Sequence, residues 1–124
     1  MTMKIHESAE NYLETILVLE KRLDYVRSID IVNEMNFSKP SVSIAMTKLK
    51  DNGFIRVDNN GHIFLLEPGR EIAEKIYERH TVISGWLISK GVPEKVALED
   101  ACKIEHVISE EAFEVFKKEA KTIS

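Results

Sequence analysis

Apolar positions along the first half of the chain recur at helical spacing. From Ser8, the segment SAENYLETILVLEKR sets Ala9, Tyr12, Leu13, Ile16, Leu17 and Leu19 on one stripe, with Ser8 placed as an N-cap. Glu10, Asn11 and Glu14 fall on its polar side, the last two as neighbours three residues apart. SIDIVNEMN, with Ser28 as its cap, predicts a second helix of about two turns ending near Asn36, with Ile29, Ile31, Val32 and Met35 apolar. In FSKPSVSIAMTKLKDNG, Ser38 is a cap, Pro40 sits in the first turn where a missing N–H is harmless, and Gly53 closes a third helix. FIRVDNNGHIFLLEPG then switches to strand, turn and strand about Asn60-Gly61, a strong hairpin signal.

Pro68 and Gly69 mark a return to helix, and a long segment from Arg70 to a stop at Gly91 carries Ile72, Ile76, Val82, Ile83, Trp86 and Leu87. Pro93 opens VPEKVALEDACKIEHVIS, and Ser109 caps a last helix, EEAFEVFKKEAK, with Phe113 and Phe116 turned inward. The fold expected is mainly α: a winged helix-turn-helix over residues 1–69, then a helical segment over residues 70–124.

Composition narrows the class. The 124 residues are 44% hydrophobic and 31% charged, enough to bury a core and solvate a surface. No apolar run approaches the roughly 20 residues needed to span a bilayer, and Met1 to Ser8 carries charge where an export signal would be apolar. These features, with a single cysteine, Cys102, predict a cytoplasmic protein with no membrane association. The net charge of −4 opposes indiscriminate coating of nucleic acid, so any DNA contact is local. The span Lys21 to Arg56 is mildly basic and Glu71 to Ser124 is acidic.

The third helix is the element suited to the major groove of double-stranded DNA, because Phe37 to Lys50 contains no acid. Ser38, Lys39, Pro40, Ser41 and Ser43 form its leading surface, Lys48 meets phosphate, and Arg56 with the wing around Asn59, Asn60 and His62 meets sugar and phosphate. The two-fold logic of DNA sites implies a homodimer, with Trp86, Ile88, Val107, Ile108, Phe113 and Phe116 as candidates for its apolar surface.

Cys102, Glu105 and His106 stand at i, i+3 and i+4, so on a helix a thiolate, a carboxylate and an imidazole converge. Sulfur selects Fe, Co, Ni, Cu or Zn over Mg or Ca. A packed thiol beside a surface Glu-His pair would give the same spacing. An enzyme using Cys102 as nucleophile and His106 as base is disfavoured, since Glu105 and Asp100 oppose thiolate formation and no oxyanion-stabilising loop is evident. Neither catalysis nor a small-molecule substrate is expected.

EDACKIEHVIS resembles the metal-site helix of the diphtheria toxin repressor and manganese transport regulator family, DtxR/MntR. The likeness covers nearly the whole chain: SAENYLETILVLE as the first helix, SKPSVSIAMTKL as the recognition helix, the wing, ERH, and Cys-x-x-Glu-His. It implies a repressor that binds operator DNA as a homodimer when metal is bound, and that controls metal homeostasis genes. It also implies that the second segment is a metal-binding and dimerisation domain, in a short form without the SH3-like domain of longer members. By resemblance Glu14, His80, Glu105 and His106 match metal ligands, and Cys102 matches a position that is Cys in iron-responsive members and Glu in manganese-responsive ones. Asn11 departs from the usual Met or Asp and is a weaker donor. Leu98 and Ser84 replace ancillary ligands of the iron type. Fe2+ is favoured over Mn2+, with Co2+, Ni2+ and Zn2+ as substitutes, and the donor set accommodates one ion or two. The alternative is a winged-helix regulator controlled without metal, by an organic ligand or by oxidation of Cys102.

Overall fold

A computed structural model describes residues 7–123, with side chains described through Lys121. Most of the charged opening segment, up to residue 6, lies outside the described residues. The elements are α1 (Glu7–Glu20), α2 (Ser28–Met35), α3 (Lys39–Asp51), β1 (Ile55–Val57), β2 (Ile63–Leu65), α4 (Glu67–Ser89), α5 (Glu94–Ile104) and α6 (Glu110–Ile123). The chain divides into two compact units, Met1–Glu74 and Lys75–Ser124.

In the first unit, the apolar stripe of α1 supplies Leu13 and Ile16, both fully buried, along with Leu17 and Leu19. Ile31 of α2 and Val42, Met46 and Leu49 of α3 complete the helical core. Burial of each large aliphatic side chain stabilises the fold by about 1.5–3 kcal/mol. Antiparallel β1 and β2 pair Ile55 with Leu65 and Val57 with Ile63, and Val26 forms an isolated bridge to Ile63. Ile55, Ile63 and Leu65 point into the core, which fastens the wing to the helices.

The terminations follow local chemistry, and α1 already includes Glu7, so Ser8 lies in its first turn and is not its N-cap. Three further departures from the pattern reading follow. Arg27, not Ser28, is the N-cap of α2, because the Asp30 carboxylate accepts the Arg27 N–H at 2.9 Å. Asn36 closes α2 in the left-handed region at φ 58° and donates its N–H to Val32 O. The Ser38 Oγ caps α3 as expected, accepting the Ser41 N–H at 3.2 Å. In the hairpin only Gly61 has positive φ (80°), so Asn60-Gly61 is not a two-residue mirror-image turn. Asp58 instead starts a turn closed by the Gly61 N–H, and the Asp58 N–H donates to His62 O.

The third departure is the start of α4. Pro68 and Gly69 were expected to break the chain before a helix at Arg70, but they lie in the first turn of α4, where Pro is tolerated. Gly69 is required there: a Cβ would stand 2.2 Å from Phe54 O and 3.3 Å from a Leu13 methyl. The two compact units meet within α4, at Glu74–Lys75.

The core of the second unit is Ile83, Ala101 and Phe113, with Val82, Leu87, Ile104, Ile108 and Phe116 packed around it. Ser109 caps α6 by accepting the Ala112 N–H at 3.0 Å. Phe113 is 3% exposed within a single chain, so its assignment to a dimer surface is corrected: it is interior packing. Ile108 and Phe116 are half-buried against the same core, and Trp86 packs edge-on against Phe116 at 5.0 Å. Val107 and Ile88 remain exposed.

Candidate metal centre and nucleic-acid interface

Ala101 is fully buried and fixes the inward face of α5, which leaves the next residue, Cys102, exposed. The helix ends at Ile104, so Glu105 and His106 stand on the turn that follows and not on the helix itself, as the spacing had implied. Glu105 keeps right-handed backbone angles (φ −57°, ψ −24°) and donates its N–H to Ala101 O, so the helical juxtaposition persists for one more step. Ligand atoms of Cys102, Glu105 and His106 consequently lie within 4.8 Å of one another.

The Glu105 side chain is fully buried and that of His106 is 1% exposed. His80, reaching across from α4, places Nδ1 2.9 Å from Glu105 Oε2. Glu105 Oε1 is buried and has no hydrogen-bond partner among the described residues; His106 Nε2 lies 3.4 Å away but without hydrogen-bond geometry. A buried carboxylate oxygen lacking a donor is costly unless a cation satisfies it. Glu105 is thus flanked by the His80 imidazole at one oxygen and by the Cys102 thiol and the His106 imidazole on the side of the other, the donor chemistry of a divalent transition metal. These residues fit such an ion.

Ser84 Oγ donates to His80 O at 2.7 Å, a bond internal to α4, and Leu98 is an exposed hydrocarbon. Glu14 and Asn11 lie half-buried on α1 in the first unit, where Asn11 O accepts from Thr15 Oγ1.

The DNA-directed candidates lie in the first unit. Lys39, Pro40, Ser41, Ser43 and Lys48 are exposed on α3, opposite its buried stripe, and Ser38 Oγ donates to Ser41 Oγ at 2.8 Å. The capping role thus uses part of the hydrogen-bonding capacity of both serines. Arg56 is exposed on β1 with its guanidinium 4.2 Å above the Phe64 ring. Ile44, 58% exposed at the centre of the same face of α3, was missed because an isolated apolar residue reads as ordinary surface. Also missed was a cluster at the wing, where Tyr25 stacks on His62 at 4.1 Å and Arg27 Nη2 lies 3.0 Å from His62 Nε2. No local periodicity connects residues 35 positions apart.

A three-helix unit with a two-stranded wing, followed by a helical unit holding a buried ligand cluster, is a winged helix-turn-helix regulator with a metal-binding unit. Two family models match: iron dependent repressor, N-terminal DNA binding domain, over residues 4–63, and iron dependent repressor, metal binding and dimerisation domain, over residues 66–122. An HTH-type transcriptional regulator of Methanocaldococcus jannaschii is 33% identical over 113 residues, covering 90% of each chain. The transcriptional regulator MntR of Escherichia coli is 29% identical over 111 residues, covering 90% of this chain and 72% of that protein. The solved manganese regulator SloR superposes with a TM-score of 0.75 at 25% identity, over 97% of this chain. The chain spans about half of that structure's length, 54%. The chain belongs to the DtxR/MntR family of metal-dependent transcriptional repressors.

Proposed function

We propose that this chain is a cytoplasmic repressor that binds double-stranded operator DNA as a homodimer when its metal centre is loaded. The observation that carries the reading is the fully buried Glu105 carboxylate, with His80 at one oxygen and no hydrogen bond at the other. No helix among the described residues is long and apolar enough to cross a membrane, which fits this placement.

His80, Cys102, Glu105 and His106 are the ligands in the second unit. Glu14, with Asn11 as a weaker donor, is assigned to the same centre on the family resemblance. The ion supplies positive charge that satisfies the buried Glu105 carboxylate. Cys102 contributes the soft donor that favours Fe2+ over Mn2+, with Co2+, Ni2+ and Zn2+ able to substitute. Cys102 is exposed and so can join the cluster without unpacking the core.

On α3, Lys39 and Lys48 meet phosphate, while Pro40, Ser41, Ser43 and Ile44 face the bases. Ile44 is suited to the methyl group of thymine. Arg56 positions the wing on the backbone. Trp86, Ile88, Val107 and the exposed edges of Ile108 and Phe116 supply the self-complementary surface, which sets two reading helices about 34–36 Å apart. Metal and DNA binding then strengthen each other reciprocally, by about 1–3 kcal/mol.

The test is anaerobic calorimetric titration of Fe2+, Mn2+, Co2+, Ni2+ and Zn2+, alongside duplex selection from a random pool with and without metal. Saturable binding ranked with Fe2+ above Mn2+, and duplexes enriched only in the presence of metal, are expected. Equal enrichment with and without metal would reject metal control. Metal-independent regulation by an organic ligand or by Cys102 oxidation would then account for the fold.

A further inference from the structure

Arg79 is a buried cation, 6% exposed, next to His80 on α4, and nothing in the ligand set or the DNA surface accounts for it. Its Nη1 donates to two backbone carbonyls, Glu105 O at 3.2 Å and Ile108 O at 2.9 Å. Its guanidinium carbon lies 5.5 Å from the centroid of the Phe113 ring. Burying a guanidinium merely to fill a core is unfavourable compared with a hydrocarbon of similar size, so its hydrogen bonds are the informative feature. They grip both ends of the turn from Glu105 to Ile108, just after α5 has ended and carbonyls lose their helical donors. A cation is also favoured at that end of a helix by the backbone dipole.

We propose that Arg79 is the positioning residue of the metal centre. Its guanidinium holds the turn that presents the Glu105 carboxylate and the His106 imidazole, while the adjacent His80 approaches that carboxylate from the same helix. One helical segment therefore carries a ligand and the clamp that orients two others. This inference rests on reading His80, Glu105 and His106 as ligands. Partners that orient ligands without touching the ion characteristically change metal affinity by about 10- to 100-fold when altered.

Arg79→Lys keeps the charge but cannot reproduce the guanidinium's hydrogen-bonding geometry, and Arg79→Met keeps the bulk without charge or donors. Calorimetric titration of Co2+, with the visible absorption of bound Co2+ reporting coordination geometry, is made on both variants and on Lys117→Met. The last removes a 2.9 Å ion pair to Glu78 that also joins α6 to α4 and serves as the structural control. Both Arg79 variants are expected to bind Co2+ about 10- to 100-fold more weakly with an altered spectrum, and Lys117→Met to bind as wild type. Folded Arg79→Lys with unchanged affinity and spectrum would overturn the proposal, even if its melting temperature fell. Should neither Arg79 variant fold, nitrogen-15 NMR of the Arg79 guanidinium in the unaltered chain decides. A metal-dependent shift on titration with Zn2+ supports the proposal, and none overturns it. Failure of the unaltered chain to bind metal would instead refute the ligand reading itself.

Discussion

At the residue scale, Glu105 sets folding and function against each other. A fully buried carboxylate with one oxygen lacking a donor is a cost to the metal-free protein, while the same oxygen is the natural ligand of the ion. Glu105→Gln removes the charge at nearly constant volume. The metal-free variant is expected to melt within about 1 kcal/mol of wild type, or above it. It should also lose the metal-induced stabilisation, which for wild type reaches about 2.7 kcal/mol at a metal concentration 100 times Kd. Differential scanning calorimetry with and without Co2+ checks both; a variant still raised by metal would remove Glu105 from the ligand set. The Cys102, Glu105 and His106 cluster was legible because ligand spacing is local, and the short overrun of helical geometry past Ile104 preserved it. The place of Arg79 was not legible, since its acceptors are backbone carbonyls 26 and 29 residues away and carry no side-chain signature.

At the scale of elements, apolar periodicity and end signals located α1 to α4 and α6, while α5 was marked only by Pro93 and the ligand spacing, and errors collected where a turn is fixed by a hydrogen bond or a close approach. Gly69 read as punctuation, yet its function is contact with the Phe54 carbonyl, a tertiary fact absent from local pattern. Gly69→Ala is expected to destabilise the first unit by about 1–3 kcal/mol, because the added methyl meets backbone that cannot yield cheaply. Urea denaturation followed by circular dichroism measures this, and an unchanged midpoint would show that the start of α4 moves freely. The wing offers a second test. The His62 backbone N–H, then that of Asn60, donates to the Asp58 carboxyl and holds its pKa below the ordinary 3.8. The stabilisation this gives is present above 3.8 and is lost as pH falls through the lower folded value. The amide proton shifts of Asn60 and His62 should therefore titrate with a midpoint below 3.8, and Asp58→Asn should abolish the transition. A midpoint at or above 3.8 would contradict the assigned bonds.

At the scale of the whole molecule, the charge distribution determines what kind of DNA binder this is. With a net charge of −4, the chain has no global attraction for nucleic acid. Affinity must come from the few cations of the first unit, a division already legible in the sequence because charge needs no fold to be counted. The surface each cation occupies became clear only with the fold, which exposes Lys39, Lys48 and Arg56 on α3 and β1. If those three meet phosphate in each subunit of a dimer, six counterions are displaced, and log K against log salt concentration should have a slope of about −5. Lys39→Ala, removing two of the six, should reduce that slope by about 2 and weaken binding to all duplexes alike, since a phosphate contact carries no sequence information. Fluorescence anisotropy of a selected duplex across a potassium chloride series, with Co2+ saturating, measures both. A slope shallower than about −2 would mean that base contacts and apolar burial, with Ile44 foremost, carry the affinity. The basic character of α3 would then reflect only its solvation.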